Sequence, residues 1–257
     1  MHHVRTEIHN DIGTITMCRS DKLNAFNSQL VAQIIAAFDT MQNNAVRVVI
    51  LRAEKGAKVW SAGHDIESLD ANDTEGWQTG LVALGDAIRN VPVPVIALVE
   101  GSVWGFGCEA AFSCDLIVAV PETSFAITPA KLGAPYPVSG LRTIIPRLGP
   151  NLAKEMLFCA APLEASRLYA QGVINHVICS EEIEGFVQEM ADRISHLAPL
   201  SIAALKQQIT GITRTDPLPA KIVLESKERA AKLLGSEDFR EGISALKAKR
   251  RPKFQGK

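Results

Sequence analysis

Apolar residues in the first half of the chain follow two rhythms. "TEIHN" and "GTITMC" alternate as strands do, with a turn placed at Asp11-Ile12-Gly13 between them. Leu30, Val31, Ile34, Ile35, Phe38 and Met41 then recur at helical spacing, behind Asn27 or Ser28 as a helix cap. "VRVVILRA" (46–53), "PVIALVE" (94–100) and "DLIVAV" (115–120) are short and almost continuously apolar, which predicts strands of a sheet buried on both faces. A second amphipathic helix carrying Trp77, Leu81, Leu84 and Ile88 falls between the first two.

After "INHVIC" (174–179), read as a strand, the pattern turns helical to the end. Ser236, followed by Glu237 and Asp238, starts a helix on "EDFREGISALKAKR". This predicts an α/β core over residues 1–195 and a helical region over 196–257. No low-complexity linker separates them, so the helices should pack on the core or on a neighbouring subunit. The chain shows no exact sequence repeat.

Composition narrows the function. With 257 residues, 47% hydrophobic and 21% charged, the chain can bury a large core as a globular protein. A net charge of −1 gives no electrostatic case for nucleic acid. The tail "KAKRRPKFQGK" is the local exception, with six basic residues and no acid, and reads as a solvated terminus or a phosphate contact. Five cysteines, an odd number without CxxC spacing, argue against a disulfide framework and against a zinc site. The N-terminus has no apolar signal-peptide core, and no apolar run approaches the ~20 residues of a membrane span. The expectation is a reduced, cytoplasmic protein.

Two stretches combine glycine with a strand end: "VWSAGHDI" (59–66) and "EGSVWGFGCEAAFSCDL" (100–116). A glycine-rich turn into a helix presents backbone N–H groups to negative charge, and Gly63 and Gly105 permit close approach. Two such loops can supply a pair of donors, an oxyanion hole. Taken singly, each feature has an ordinary structural explanation. His64 suits the surface, Glu109 suits the first turn of a helix, and Asp65 can cap a turn. A third stretch, "SFAITPAKLGAPYPVSG" (124–140), has no acidic residue, one lysine (Lys131), and Tyr136 between two prolines.

Together these segments resemble the crotonase (enoyl-CoA hydratase/isomerase) superfamily over essentially the whole chain. The resemblance rests on "KLNAF" (22–26), "SAGHDI" (61–66), "VEGSVWGFGCE" (99–109), "CDLIVA" (114–119), "SFAITPAKLG" (124–133) and the tail "KRRPKF". It implies an α/β fold, a crotonase-like spiral of ββα units with a C-terminal helical region, assembled as a homotrimer or a dimer of trimers. It implies an acyl-CoA thioester substrate whose enolate is held by the N–H groups of His64 and Phe106. Phenylalanine at the second donor position departs from the usual glycine but keeps the N–H. Such a donor supplies about 3–4 kcal/mol of transition-state stabilisation.

Family hydratases use two glutamates; the first corresponds to Glu109, and the second falls on Pro129, which cannot take a proton. Within the superfamily, "KVWSAGHDI", "VEGSVWG", "TPAKLGAPY" and "GVINHV" look like the methylmalonyl-CoA-decarboxylating branch. There the substrate brings its own carboxylate, and departing CO₂ generates the enolate without a base. The branch implies Tyr136 as the group orienting that carboxylate, with propionyl-CoA as product and neither biotin nor metal as cofactor. By the same resemblance, CoA lies along Lys22, Leu23, Ala25, Ala62, Asp65 and Ile66, with Phe254 and Lys257 reaching a neighbour's CoA. Lys131, Arg142 and Arg147 read as solvated. Two other readings stay open: a hydratase or isomerase using Glu109 alone, and a non-catalytic acyl-CoA-binding protein.

Overall fold

A computed structural model of the chain describes residues 2–65, 76–214 and 220–255. The chain opens with the hairpin β1 (Val4–His9) and β2 (Ile12–Met17). Its turn is Asn10-Asp11, not the expected Asp11-Ile12-Gly13, because Ile12 already pairs with His9. Asn10 and Asp11 have φ of 47° and 62°, the paired left-handed conformation that matches strand twist in a two-residue hairpin. Helix α1 (Ser28–Asn43) follows, and the Leu30 N–H donates to the Asn27 side chain at 2.8 Å, which makes Asn27 the cap.

A ββα unit then repeats three times. β3 (Val48–Ala53), β4 (Val59–Ser61) and α2 (Gly76–Asn90) form the first; β5 (Val95–Val99), β6 (Ser102–Trp104) and α3 (Phe106–Ser113) the second. β7 (Leu116–Ala119), β8 (Ser124–Ala126) and α4 (Val138–Cys159) form the third, and β9 (Leu163–Glu164), α5 (Ala165–Ala170) and β10 (His176–Val177) close the series. The first strand of each unit joins a six-stranded sheet of order β1-β2-β3-β5-β7-β10, parallel from β2 onward. The second joins a smaller sheet of order β4-β6-β8-β9. The mixed α/β core is what the residue pattern predicts, and the ββα series is what the resemblance implies.

The continuous apolar strands are explained by what lies on each side. Val49, Leu51, Val95, Ala97 and Val99 face the core shared with α1 and α2. Their alternating neighbours Val48, Ile50, Ile96 and Leu98 face Ile183, Val187 and Ala191 of helix α6 (Ile183–Ser195). With both faces covered, no position along these strands needs to be polar. Three expectations change. β6, expected as part of a glycine loop, is a strand of its own, because Gly101 at φ 77° turns the chain from one sheet into the other. "INHVIC" contributes two residues to β10, with Asn175 instead accepting the Ile117 N–H at 2.8 Å. α4 runs through a stretch not expected to be helical, and it bends at Gly149 beside Pro150.

Helices α7 (Pro199–Arg214), α8 (Ala220–Leu234) and α9 (Glu237–Lys247) complete the chain, with Ser236 capping α9 at 3.0 Å as expected. One side chain ties α7 to the core. The buried Lys206 ammonium donates to the carbonyls of Ile88 (3.0 Å) and Val93 (2.9 Å) and pairs with Asp115 at 2.7 Å. Removing the lysine takes the cation from a partly buried Asp115, which keeps the Val95 N–H at 2.7 Å, and a donor from two carbonyls. Lys206→Ala should lower the unfolding free energy in urea by about 2–3 kcal/mol, below the largest buried-pair losses because Asp115 keeps some solvent. A loss under about 0.5 kcal/mol, the level of a typical surface substitution, would mean that α7 is held by its apolar contacts alone.

Candidate active site

Four segments of backbone meet at one place. Phe26 N–H donates to Gly63 C=O at 2.7 Å and Asp65 N–H donates to Phe26 C=O at 2.9 Å, stitching the "KLNAF" loop to "SAGHDI" as a short parallel bridge. Ala62 N–H adds a bond to Leu23 C=O at 2.9 Å. Beneath this seam the buried Arg19 guanidinium pairs with the Asp65 carboxylate at 2.7 Å and donates to Ala25 C=O at 2.6 Å. Asn24 accepts the Arg19 N–H and donates to Trp60 C=O, while Ser61 Oγ donates to Asn24 C=O at 2.8 Å. Asp65 is thus a brace whose carboxylate is held by Arg19. Arg19 escaped the sequence reading because nothing local marks an arginine as buried.

The second glycine loop abuts the first. Gly63 has φ 85°, and a Cβ there would lie 2.6 Å from the Trp104 carbonyl oxygen and 3.2 Å from the Phe106 nitrogen. Phe106 is the first residue of α3, so its N–H has no acceptor within the helix. Gly105, at φ 52°, lies against the Gly63 backbone and lets the chain enter the helix there. His64 and Phe106 therefore flank one spot, at the mouth of a helix dipole.

That spot opens into a cavity of about 390 Å³ lined by His64, Phe106, Glu109 and Tyr136, and by Leu23 and Ala62. Leu23 is also strongly exposed, which places it at the rim. Pro129, Leu132 and Pro137 line it as well. Leu234 and Phe239 come from the C-terminal helices of the same chain. α9 presses close here: a Cβ on Gly133 would sit 3.0 Å from the Asp238 carbonyl. Lys22, Ala25 and Asp65 support the rim loop and do not line the cavity. Phe254 lies in a tail strapped to α9 by Lys253 N–H to Glu241 (2.8 Å) and Gln255 N–H to Asp238 (2.7 Å). Ile66 and Lys257 lie outside the described residues, as does the side chain of Trp77. Arg147, expected in solvent, turns inward to donate to the Cys114 carbonyl.

Glu109 is the sole carboxylate among the described residues lining the cavity. Tyr136 Oη and Glu109 Oε1 are 2.5 Å apart. Burial pushes the Glu109 carboxyl up to about 7, against the opposing pull of the Tyr136 hydrogen bond and the Arg89 guanidinium. Tyr136 is raised well above its ordinary range by burial and by Glu109, so it stays a phenol. A Cβ on Gly140, in the first turn of α4, would sit 2.8 Å from both Glu109 oxygens, so any larger residue there would displace the carboxyl. Burial lowers His64, whose Nδ1–H reaches the Asp65 carbonyl at 3.1 Å, so its ring is neutral near pH 7. Among the described residues no three His, Cys, Asp or Glu converge as a metal site requires, and no helix is long and apolar enough to cross a membrane.

Known proteins resemble this chain in sequence and in fold. The model of the family described as enoyl-CoA hydratase/isomerase matches residues 7–257. The chain belongs to that family. It is 35% identical over 249 residues to methylmalonyl-CoA decarboxylase of Escherichia coli (strain K12), covering 96% of this chain and 95% of that protein. A solved structure of methylmalonyl-CoA decarboxylase in complex with 2-nitronate-propionyl-CoA superposes with a TM-score of 0.95 at 34% identity, covering 100% of this chain and 99% of that one. The short-chain-enoyl-CoA hydratase of Clostridium acetobutylicum is 27% identical over 98% of this chain and 97% of its own.

The buried carboxyl sets a stability signature. Glu109 binds its proton more tightly folded than unfolded, so the native state loses stability as pH rises from about 4.5 towards 7. Glu109→Gln should remove that downward slope from a plot of melting temperature against pH. An identical slope in both proteins would show that Glu109 ionises freely in the native state.

Proposed function

We propose that this chain is an enzyme that decarboxylates methylmalonyl-CoA, or a close malonyl-CoA analogue, to propionyl-CoA or its counterpart. The observation that carries the reading is the cavity lining: Pro129 stands in it, and Glu109 is its one carboxylate among the described residues. A single acid bonded to Tyr136 is poorly equipped to add water across a double bond with two acid/base groups. It is well placed to receive a substrate that carries its own negative charge, because a second carboxylate would repel that charge.

In this reading the CoA arm leaves over Leu23 and Ala62, and the thioester oxygen lies between the N–H groups of His64 and Phe106. With the substrate carboxylate perpendicular to the thioester plane, its C–C bond breaks and the electron pair enters the carbonyl as an enolate. CO₂ departs, and the α-carbon takes up one proton to give the acyl-CoA product. The two N–H groups act on charge that develops only in this step, so they speed it rather than merely tighten binding.

Tyr136 has one proton to give. When Glu109 is ionised, that proton is committed to Glu109. When Glu109 is protonated, it donates to the phenol oxygen and frees the Tyr136 O–H for the substrate carboxylate. The assembly proposed is a homotrimer or a dimer of trimers; the outward apolar row Leu205, Ile209 and Ile212 on α7 supports an oligomer.

Purified protein given methylmalonyl-CoA, without biotin or added metal, should form propionyl-CoA by mass spectrometry. Tyr136→Phe should cut kcat/KM by roughly 10² to 10³, the size of losing one donor to a charged group in a dry site. No propionyl-CoA would refute the reading, and full activity in Tyr136→Phe would refute the role of the hydroxyl. For the pH dependence, kcat/KM should fall as pH rises through about 7, where Glu109 loses its proton. Glu109→Gln, fixed as a donor, should keep low-pH activity and abolish the fall; a fall that persists would assign it to another group.

A further inference from the structure

The candidate cavity does not end at Glu109. A second void of about 20 Å³ lies directly behind it, and the two share Leu81, Phe106, Glu109 and Pro137 as walls. Beyond that partition, the small void reaches Gly85 of α2 and Ser113 of α3. The void is about the size of one small group, so a chain end can pass the partition only if its walls give way.

The partition cannot easily give way. Phe106 is 5% exposed, and its ring meets Phe26 edge-on at 5.0 Å and 83°. Its backbone is fixed between Gly105, which needs φ 52°, and Gly107, whose Cβ would lie 2.9 Å from the Ser61 Cβ. Leu81, 7% exposed, lines the same partition from α2. Glu109 is held by Tyr136 on the side away from the void. Phe106 and Leu81, apolar side chains on different helices, therefore stand in the far end of the cavity beside Glu109 and Pro137.

We infer that Phe106 and Leu81 set the acyl reach of the site, admitting a substituent of one or two carbons and rejecting longer ones. This rests on the acyl-CoA reading above, and it adds a second role to Phe106: its N–H faces the thioester oxygen while its ring limits the chain. Each methylene that does not fit should reduce affinity about tenfold. Leu23 at the other end of the cavity is strongly exposed, so selection acts at the acyl end and not on the CoA arm.

The test uses binding, not turnover, of saturated acyl-CoA esters that cannot decarboxylate: acetyl-, propionyl-, butyryl-, hexanoyl- and octanoyl-CoA, by isothermal titration calorimetry. Wild-type protein should bind the two- to four-carbon esters and hold hexanoyl-CoA at least tenfold more weakly than propionyl-CoA. Phe106→Ala and Leu81→Ala, each joining the two voids, should raise the hexanoyl-to-propionyl affinity ratio at least tenfold. Leu81→Ala keeps the experiment decisive if Phe106→Ala loses its fold with the Phe26 contact, and Phe106→Leu should give an intermediate ratio. Equal binding of long and short esters by the wild type, or an unchanged ratio in the folded variants, would overturn the inference. A shifted ratio without turnover of methylmalonyl-CoA would refute the decarboxylase reading alone, while failure to bind any of the esters would overturn both.

Discussion

The site depends on one close approach, that of the Gly63 backbone to the Trp104–Phe106 backbone. No side chain fits between them: a single Cβ on Gly63 would collide with the Trp104 carbonyl. The two loops come from successive ββα units, so their spacing is set by how β4 and β6 pair in the small sheet. The Arg19–Asp65 pair and the Asn24 and Ser61 bonds brace the first loop from behind. A buried ion pair of this kind is a weak source of net stability, but breaking it leaves an uncompensated charge, so it holds one geometry well. Donors fixed in this way need not reorganise when charge develops in front of them.

The same packing decides the chemistry of the acid beside them. Glu109 stands on α3, below the Phe106 N–H, and α4 covers it through Gly140. Burial outweighs the stabilising effects of Tyr136 and Arg89, leaving a carboxyl that changes charge near neutrality. Its state decides what the Tyr136 hydroxyl can offer to a ligand. Stability and reactivity thus respond to one proton, in a cavity closed by α8 and α9 of the same chain.

Much of this was legible in the chain. The continuous apolar runs at β3, β5 and β7 required a sheet covered on both faces, and α6 with the inner helices supplies that cover. The glycine loops were readable because each motif is local, whereas Glu109 and Tyr136 became site candidates only through the resemblance to the crotonase superfamily. The small sheet was not: β4, β6 and β8 are three residues each, too short for a period to show. Nor is the threefold ββα repeat written as a repeated sequence, since it is maintained by pairing rather than residue identity. Arg19, Arg89, Lys206 and Phe239 act across long stretches of chain, and pattern along a sequence does not reveal a partner 46 or 118 residues away. The Tyr136–Glu109 bond, spanning 27 residues, was missed for the same reason, although both ends had been singled out.

The central claim is that a cavity lined by Pro129, with Glu109 as its one carboxylate among the described residues, makes an enolate by losing CO₂ and not by moving water. The most direct measurement is hydration of crotonyl-CoA in ¹⁸O-labelled water, followed by mass spectrometry, set beside CO₂ release from methylmalonyl-CoA by the same preparation. The account predicts CO₂ release with label incorporation at least a thousandfold slower. Comparable rates, or hydration without CO₂ release, would contradict it and make Glu109 alone a sufficient acid/base for the hydratase reaction.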